Sequence, residues 1–150
     1  MRVVIQRVSD SSVEINGKIT GAIGVGLLIL VGFEEADTAE DVHWMAGKVA
    51  RLRIFDDDQG VMNLSAKEID GEALVVSQFT LHAKTKKGNR PSYIMAARPE
   101  TAIPLYKLFI EKLNQELDKP VKAGVFGAMM RVAMVNDGPV TIIIDSKHKE

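Results

Sequence analysis

The sequence of 150 residues contains no cysteine, few aromatic residues and no long hydrophobic run. The lack of cysteine excludes disulfide bonds, thiolate nucleophiles, iron–sulfur clusters and cysteine-ligated zinc sites. No apolar stretch approaches the roughly 20 residues of a membrane-spanning helix. Residues 1–7 reach a polar side chain after three successive apolar ones, so they lack the core of a signal peptide. We therefore expect a cytoplasmic protein without a membrane segment.

A strong charge of either sign is also missing, since the formal net charge is -1 at pH 7. Hydrophobic residues make up 46% of the chain and charged residues 26%, which is typical of a soluble globular protein. A chain of this length fits one domain, here residues 1–150. The net charge of the protein does not attract a polyanion such as nucleic acid. Any binding of nucleic acid therefore requires a local basic patch.

The first third of the chain has the pattern of β-strands. Asn16-Gly17 separates two short alternating segments and favours a type I′ hairpin turn, because both turn positions need positive φ. A continuous apolar run flanked by glycines then predicts a buried central strand. The predicted strands are Val3–Val8, Ser12–Ile15, Lys18–Thr20 and Gly24–Gly32.

Two amphipathic helices follow from apolar residues at helical spacing. The first is predicted from Thr38 to Ile54, with acidic residues in its first turn. The second covers about Thr101–Leu117, with Pro104 tolerated only in the first turn. Between the helices, Leu74–Leu81 has strand character.

The last part of the chain predicts a second hairpin. Met129–Val135 and Val140–Ile144 are apolar runs joined by the turn-rich segment Asn136–Pro139. The strands and two helices make one α+β domain. We expect a curled or barrel-like, mostly antiparallel sheet with the two main helices packed outside.

Two polar segments stand out as candidates for chemistry. The first is Ser77-Gln78-Phe79-Thr80-Leu81 at a predicted strand end, and the second is Asn136-Asp137-Gly138-Pro139-Val140-Thr141 in the last turn. Taken singly, each has an ordinary structural explanation. Polar residues at a strand end satisfy backbone groups, and Asn-Asp-Gly-Pro is a common turn.

Together, SQFTL and NDGPVT, in this order and about 60 residues apart, resemble the two signature motifs of the D-aminoacyl-tRNA deacylase family. The opening IQRV, the segment RIFDDDQGVMNLS, the NRPS after a basic loop and the predicted closing hairpin are similar to that family too. The resemblance covers almost the whole chain. It implies an enzyme that hydrolyses the ester bond of D-aminoacyl-tRNA, as a proofreading step.

The resemblance also implies a homodimer. In it, Gly138-Pro139, joined by a cis peptide bond, reaches from one subunit into the active site of the other. Backbone carbonyls at this position would fill the space of an L side chain and accept a D side chain. Glycine has no side chain to reject, so glycyl-tRNA is an expected substrate. Arg7 is expected to help order the crossing loop.

By the same likeness, the catalytic segment comprises Ser77, Gln78, Phe79 and Thr80. The backbone N–H groups of Ser77 and Phe79 are the expected donors to the developing oxyanion. Thr80 is a candidate nucleophile, although no activating base is near it in sequence. The alternative, which we prefer, is assistance by the terminal ribose 2′-hydroxyl of the tRNA itself.

Contacts with the tRNA are expected from two further groups. Lys84, Lys86, Lys87 and Arg90 cluster within ten residues of Thr80. Such a run is often only a solvated surface, but its position favours binding of tRNA phosphates. Phe126, Met129 and Met130 precede the Gly-Pro segment. They either pack in the core or line a pocket for the terminal adenine.

Several other features are assigned ordinary roles. His82 is expected to be a solvated loop residue rather than a general base. Asp56–Asp58 indicates a solvated turn rather than a metal site, and Gly21–Gly26 lacks the spacing of a nucleotide-binding loop. No metal and no cofactor is implied. The rival hypotheses are an RNA-binding module without catalysis and a hydrolase of small molecules.

Overall fold

The computed structural model describes residues 1–150 and is organised around one long strand, β1. β1 runs from Arg2 to Ile15 without interruption, so the two strands predicted there are a single one. The other strands are β2 (Lys18–Ile23), β3 (Gly26–Gly32), β4 (Phe55–Asp56), β5 (Met62–Leu64), β6 (Glu72–Ser77), β7 (Lys122–Ala123) and β8 (Arg131–Asp145).

β1 pairs antiparallel along both of its edges. On one edge its first half pairs with β3 and its second half with β2, while β8 runs along the other edge. β3 continues the sheet through parallel pairing with β6, which pairs in parallel with β7. The Gly21 backbone of β2 comes so close to β7 that a Cβ there would lie 3.2 Å from the Ala123 carbonyl oxygen. The sheet is therefore curled and nearly closed, as predicted, and it is mixed rather than purely antiparallel.

The predicted second hairpin is wrong. β8 is one strand of 15 residues that pairs with β1 from Arg131 to Asp145. β1 offers a continuous partner along its whole length, so both apolar runs pair with it in the same direction. The turn-rich residues between them form a bulge instead, because Thr141 pairs with Gln6 and Asn136 already pairs with Val8.

Helix α1 spans Ala39–Ala50 and helix α2 spans Pro99–Leu117. Both predicted helices exist, but α1 ends four residues before Ile54. The backbone N–H of Thr38 donates to Asp41 Oδ2 at 2.9 Å at the start of α1. Because α2 begins at Pro99, Pro104 lies inside the helix rather than in its first turn, contrary to expectation. Neither helix is long and apolar enough to cross a membrane.

The main core lies between the sheet and the two helices. It contains 22 buried residues, and Phe109 and Leu113 of α2 and Ile29 of β3 are among those wholly excluded from solvent. A fully buried side chain of this kind stabilises the fold by about 1.5–3 kcal/mol. A second cluster of six residues packs within the curl of the sheet. Its members are Val8, Val13, Ile23, Leu28, Leu74 and Val76. The two cores fix β3 and β6, whose carboxyl ends carry the site.

Candidate active site

The candidate catalytic segment starts where β6 ends. Ser77 is the last residue of β6, and Phe79–His82 form a 3-10 helix, so the strand predicted to reach Leu81 is four residues too long. Gln78 turns the chain between them, with its backbone N–H donating to the Val31 carbonyl oxygen at 2.7 Å. The first N–H groups of a helix lack partners within it. The turn therefore presents backbone donors at the carboxyl end of a parallel strand pair.

A cavity of about 300 Å³ opens beside this turn. Ser77, Gln78 and Phe79 form one wall, and the segment from Phe126 to Met130 forms another. Eleven of the fifteen lining residues are hydrophobic, so the cavity suits a flat ring or an apolar side chain. Phe126, Met129 and Met130 thus lie beside the SQFTL segment, and Met129 is 91% exposed.

Thr80 does not line the cavity. Its side chain is half-buried, and its Oγ1 accepts a hydrogen bond from Gln78 Nε2 at 2.5 Å. No carboxylate, imidazole or amine contacts the hydroxyl. The structure therefore shows Thr80 held in place by Gln78, without a base that would take its proton.

The prediction of a solvated His82 is wrong. The ring is buried, with 3% of the residue exposed, and Nδ1 lies 2.8 Å from Glu34 Oε1. The 3-10 helix turns His82 back against Gly32, where a Cβ would lie 3.1 Å from the imidazole and 2.6 Å from the Gln78 carbonyl oxygen. On the preceding residue, the Leu81 carbonyl oxygen accepts a 2.7 Å hydrogen bond from Arg2 Nη1. These contacts anchor the turn on its buried side.

Tyr106 of α2 lies below the Phe126 wall. Its ring centroid is 5.6 Å from that of Phe126, and its hydroxyl donates to the Val75 carbonyl oxygen at 3.4 Å. Burial raises the pKa of Tyr106 to about 12, so the hydroxyl stays neutral at physiological pH. Nothing in the sequence distinguishes Tyr106 from the other core residues of α2.

The Gly138-Pro139 segment does not line this cavity. Its peptide bond is cis, and both residues are exposed on the bulge of β8. Arg7, which is 7% exposed, holds the bulge from below by donating from Nε to the Asp137 carbonyl oxygen at 3.0 Å. The second side of the bulge is closed by the Val140 N–H, which donates to Asn136 Oδ1 at 2.9 Å. Arg7 thus orders the segment, as expected.

Arg7 also contacts Asp56, the first residue of the acidic run Asp56–Asp58, which the sequence assigns to a solvated turn. Its Nη1 donates to the Ile54 carbonyl oxygen at 2.7 Å and lies 3.3 Å from Asp56 Oδ1. Asp56 belongs to β4, so this carboxylate is half of an ion pair rather than a free turn residue. No group of three or more possible metal-ligating side chains lies together in the structure.

The basic loop projects from the same end of the molecule. Lys84, Lys86, Lys87 and Arg90 are all exposed, and none of them takes part in an ion pair. Backbone hydrogen bonds between Lys84 and Ser92, of 2.8 and 3.0 Å, close the base of the loop.

Tyr93, just beyond the loop, connects it with the candidate catalytic turn at Ser77–His82. Its ring meets that of Phe79 edge to face, with centroids 5.0 Å apart and planes at 75°. Phe79, which lines the cavity, is 57% exposed, and Tyr93, which does not line it, is 39% exposed. Sequence reasoning missed Tyr93, because only the fold brings it against Phe79.

The chain is similar to known proteins over nearly its whole length. Residues 4–145 match the family described as D-Tyr-tRNA(Tyr) deacylase. The chain is 62% identical to a D-aminoacyl-tRNA deacylase of Flavobacterium psychrophilum and 61% identical to one of Akkermansia muciniphila, each over the full length of both proteins.

Two solved structures share the fold. One, described as a c-Myc DNA unwinding element binding protein, has a TM-score of 0.89 and 39% identity, and the match covers 97% of this chain and 98% of that one. The other, a probable eukaryotic D-amino acid tRNA deacylase, has a TM-score of 0.81 and 19% identity, covering 95% and 97%. The full-length relatives and the family match agree with one another: the chain belongs to the D-Tyr-tRNA(Tyr) deacylase family.

Proposed function

We propose that this protein is a D-aminoacyl-tRNA deacylase, which hydrolyses the ester between a D-amino acid and tRNA and releases both. The observation that carries the proposal is the cavity at the SQFTL turn, in a chain whose full-length relatives bear that name. The cavity is apolar enough for an aminoacyl group or the terminal adenine. Its substrate places the activity in the cytoplasm, where aminoacyl-tRNA is made and used.

Ester hydrolysis develops negative charge on the carbonyl oxygen of the substrate. The backbone N–H groups of Ser77 and Phe79, on either side of the turn at Gln78, are the proposed donors to that oxygen. Two anchors support this role, because the Gln78 N–H is bonded to Val31 and the Leu81 carbonyl to Arg2. Donors that are already fixed need no reorganisation when the charge forms, which is the property that an oxyanion site requires.

The attack itself is proposed to use the 2′-hydroxyl of the terminal ribose. Thr80 is the alternative nucleophile, but its hydroxyl is engaged by Gln78 and has no base beside it. A positioned ribose hydroxyl needs no protein nucleophile, because holding it next to the ester supplies the proximity. In this mechanism Gln78 and Thr80 orient the substrate rather than react with it.

The proposed enzyme works as a homodimer. β8 pairs with β1 on one edge only, and the N-terminal half of β8 exposes Val132, Met134 and Val135. A long exposed apolar edge strand is a site of pairing with another chain. Gly138 and Pro139 are exposed on the same strand and absent from the cavity of their own chain. Each subunit is therefore proposed to insert Gly138-Pro139 into the active site of its partner.

Chirality is proposed to be read by backbone alone. Carbonyl oxygens of the inserted Gly138-Pro139 segment would occupy the space of an L side chain at the α-carbon of the substrate. The Arg7 contacts hold that segment in one position, which a steric filter requires. A D side chain points away from the filter, and glycine has none. The filter therefore accepts D-aminoacyl-tRNA and glycyl-tRNA and rejects L-aminoacyl-tRNA.

The test is deacylation of D-tyrosyl-, L-tyrosyl- and glycyl-tRNA by purified, chelator-treated protein. We expect hydrolysis of the D and glycyl esters, with the L ester spared and no loss of rate after the chelator. Cleavage of D and L esters alike would refute the filter. A requirement for added metal would refute the metal-free mechanism. Hydrolysis of free amino-acid esters at the same rate as the tRNA esters would indicate a hydrolase of small-molecule esters.

The basic loop has its own test within this function. Replacing Lys86 and Lys87 by Glu should raise KM for D-tyrosyl-tRNA and flatten its salt dependence, because phosphate contacts release counterions. The matched control replaces the exposed, unpaired Lys67 and Lys107, on other surfaces, by Glu. Equal KM values in the two double variants would exclude a specific role of the loop.

A second candidate function is nucleic-acid binding without turnover. It is favoured by one observation, the name of the structural relative that binds a DNA unwinding element. Retention of tRNA or duplex DNA with no ester hydrolysis would support this function against ours. A competition assay distinguishes the two functions. If tRNA is the substrate, duplex DNA added in modest excess should reduce the rate of D-tyrosyl-tRNA deacylation only slightly.

A further inference from the structure

The single tryptophan of the chain, Trp44, lies on the outside of α1 between two open grooves. The larger groove, of about 650 Å³, runs between α1 and the C-terminal part of β8, Ile142–Asp145. The smaller, of about 320 Å³, continues along α1 towards Arg53. Lys48 lines both grooves together with Trp44. None of these residues belongs to the cavity of the catalytic turn.

The surface around Trp44 carries unpaired positive charge. The ammonium of Lys149 lies 4.3 Å from the centroid of the indole, and that of Lys48 lies 5.7 Å from it. Lys48, Lys149 and Arg53 are exposed and form no ion pair. Of the two acids that line the larger groove, Asp145 is neutralised by Arg2 at 2.8 Å and Glu150 is unpaired. Three unpaired cationic side chains thus lie around Trp44 against one unpaired acidic side chain, a local excess of positive charge in a chain of net charge -1.

The patch is continuous with the catalytic turn. Arg2 lines the larger groove, and its Nη1 donates to the carbonyl oxygen of Leu81, the residue after Thr80. The basic loop that starts at Lys84 leaves the same turn three residues further along the chain. The catalytic turn is therefore flanked by two basic surfaces, and only the loop is evident from the sequence.

We propose that the grooves beside Trp44 bind the sugar-phosphate backbone of the tRNA substrate. Lys48 and Lys149 contact phosphates, and the indole packs against a ribose or an unpaired base. Lysines beside an aromatic platform are the combination that binds single-stranded nucleic acid without reading its sequence. The inference rests on the proposed deacylase function and adds a second contact surface to it.

The test uses Trp44 as its own reporter. Because it is the only tryptophan, emission excited at wavelengths that tyrosine does not absorb reports on Trp44 alone. Titration of the wild-type enzyme with deacylated tRNA should change the fluorescence saturably, with an apparent affinity that falls as salt is raised. The double variant Lys48→Glu/Lys149→Glu should bind at least about fivefold more weakly and show a salt slope smaller by about 2. Its loss of activity with D-tyrosyl-tRNA should appear as a higher KM.

The matched control is Lys67→Glu/Lys107→Glu, which changes the net charge equally on other surfaces. Equal weakening in both double variants would mean a general charge effect and overturn the inference. Wild-type affinity in the Lys48/Lys149 variant would also overturn it, while D-ester hydrolysis by the same preparation would leave the deacylase function standing. If the Lys48→Glu/Lys149→Glu variant changed its oligomeric state but bound tRNA normally, the grooves would be a contact between copies of the chain, and the inference would be overturned. Absence of both tRNA binding and hydrolysis in the wild type would overturn the function as well.

Discussion

Arg7 Nε donates a 3.0 Å hydrogen bond to the carbonyl oxygen of Asp137, joining the middle of β1 to the bulge of β8. The same guanidinium donates from Nη1 to the Ile54 carbonyl oxygen at 2.7 Å. One buried side chain therefore links the first strand, the end of the α1 region and the Gly138-Pro139 segment. Since the three are far apart in sequence, the position of the bulge depends on the complete fold.

Replacing Arg7 by Ala should destabilise the protein and loosen the chirality filter. The buried carbonyl oxygen of Ile54 and the partly buried one of Asp137 lose charged donors, which costs about 2–3 kcal/mol in the free energy of unfolding. Urea denaturation measures the loss, and rates on D- and L-tyrosyl-tRNA measure selectivity. We expect the D/L ratio to fall. Arg2→Ala is the control, since Arg2 anchors the catalytic turn and not the bulge. An equal fall of the D/L rate ratio in Arg2→Ala would show that Arg7 has no specific role in selectivity.

Thr80→Ala should lower kcat by roughly fivefold, the equivalent of one neutral hydrogen bond of about 1 kcal/mol. The reason is that Thr80 only accepts a hydrogen bond from Gln78 and has no base beside it. Single-turnover deacylation of D-tyrosyl-tRNA measures the change, with Thr80→Ser as the conservative control. A loss of about 10⁴-fold or more, of the size seen when a nucleophile is removed, would make Thr80 the nucleophile.

Gly138→Ala should reduce selectivity by moving the filter. Gly138 has φ of +131°, and an added Cβ would lie 2.9 Å from Val140 Cγ2 and 3.0 Å from Arg7 Nη2. An alanine in such a conformation costs about 1–3 kcal/mol and shifts the bulge. The D/L rate ratio measures the effect. Gly60→Ala, at φ of +75° with no atom within 4 Å of the new Cβ, controls for backbone strain alone. Unchanged selectivity in Gly138→Ala would remove this residue from the filter.

Gly32→Ala should impair catalysis without involving any side chain of the catalytic segment. The new Cβ would lie 2.6 Å from the Gln78 carbonyl oxygen and 3.1 Å from the His82 ring, so the turn must move. Displacement of the backbone donors should lower kcat by at least about tenfold. Gly24→Ala is matched to it, because its Cβ would meet only Glu72 Oε2, at 3.7 Å. Normal kcat in Gly32→Ala would show that the turn is not the catalytic element.

Stability should fall in acid through the pair of Asp41 and Lys147. Burial alone would raise the pKa of Asp41, but hydrogen bonds from Lys147 and the Thr38 N–H lower it well below 3.8. A depressed pKa means stabilisation that is complete above about pH 4 and lost as the pH falls below it. Lys147→Met should cost about 1 kcal/mol at pH 7, and the difference from wild type should shrink below pH 4. Urea unfolding between pH 3 and 7 tests this, with Lys107→Met as control; a pH-independent difference would contradict it.

The elements that the sequence predicts correctly are those decided by local pattern. Apolar spacing locates both helices, and α1 ends early only because its last turn gives way to the short strand at Phe55. The continuous run at Gly26–Gly32 is the buried strand expected of it. By contrast, Asn136–Pro139 has every property of a turn and is a bulge, since β1 continues past it as a pairing partner.

The site divides in the same way. SQFTL and NDGPVT identify the family from residues alone, whereas only the fold brings Phe126, Met129 and Met130 beside the first motif. His82 was expected in solvent because nothing adjacent in sequence would bury it; Glu34 and Gly32 do so from another strand and its loop. Tyr93 and the Trp44 patch have no local signature at all.

The sequence by itself determined the family, the two helices, the buried strand at Gly26–Gly32 and the residue types of the two motifs, because periodicity and short motifs are local properties of a chain. Tertiary structure alone decided that the SQFTL turn and Phe126–Met130 share a cavity and that Gly138-Pro139 stays outside it. It also decided that Arg7 and Arg2 hold the two motifs from β1. Those relationships depend on pairing partners and burial contributed by segments far away in sequence, and no local pattern records them.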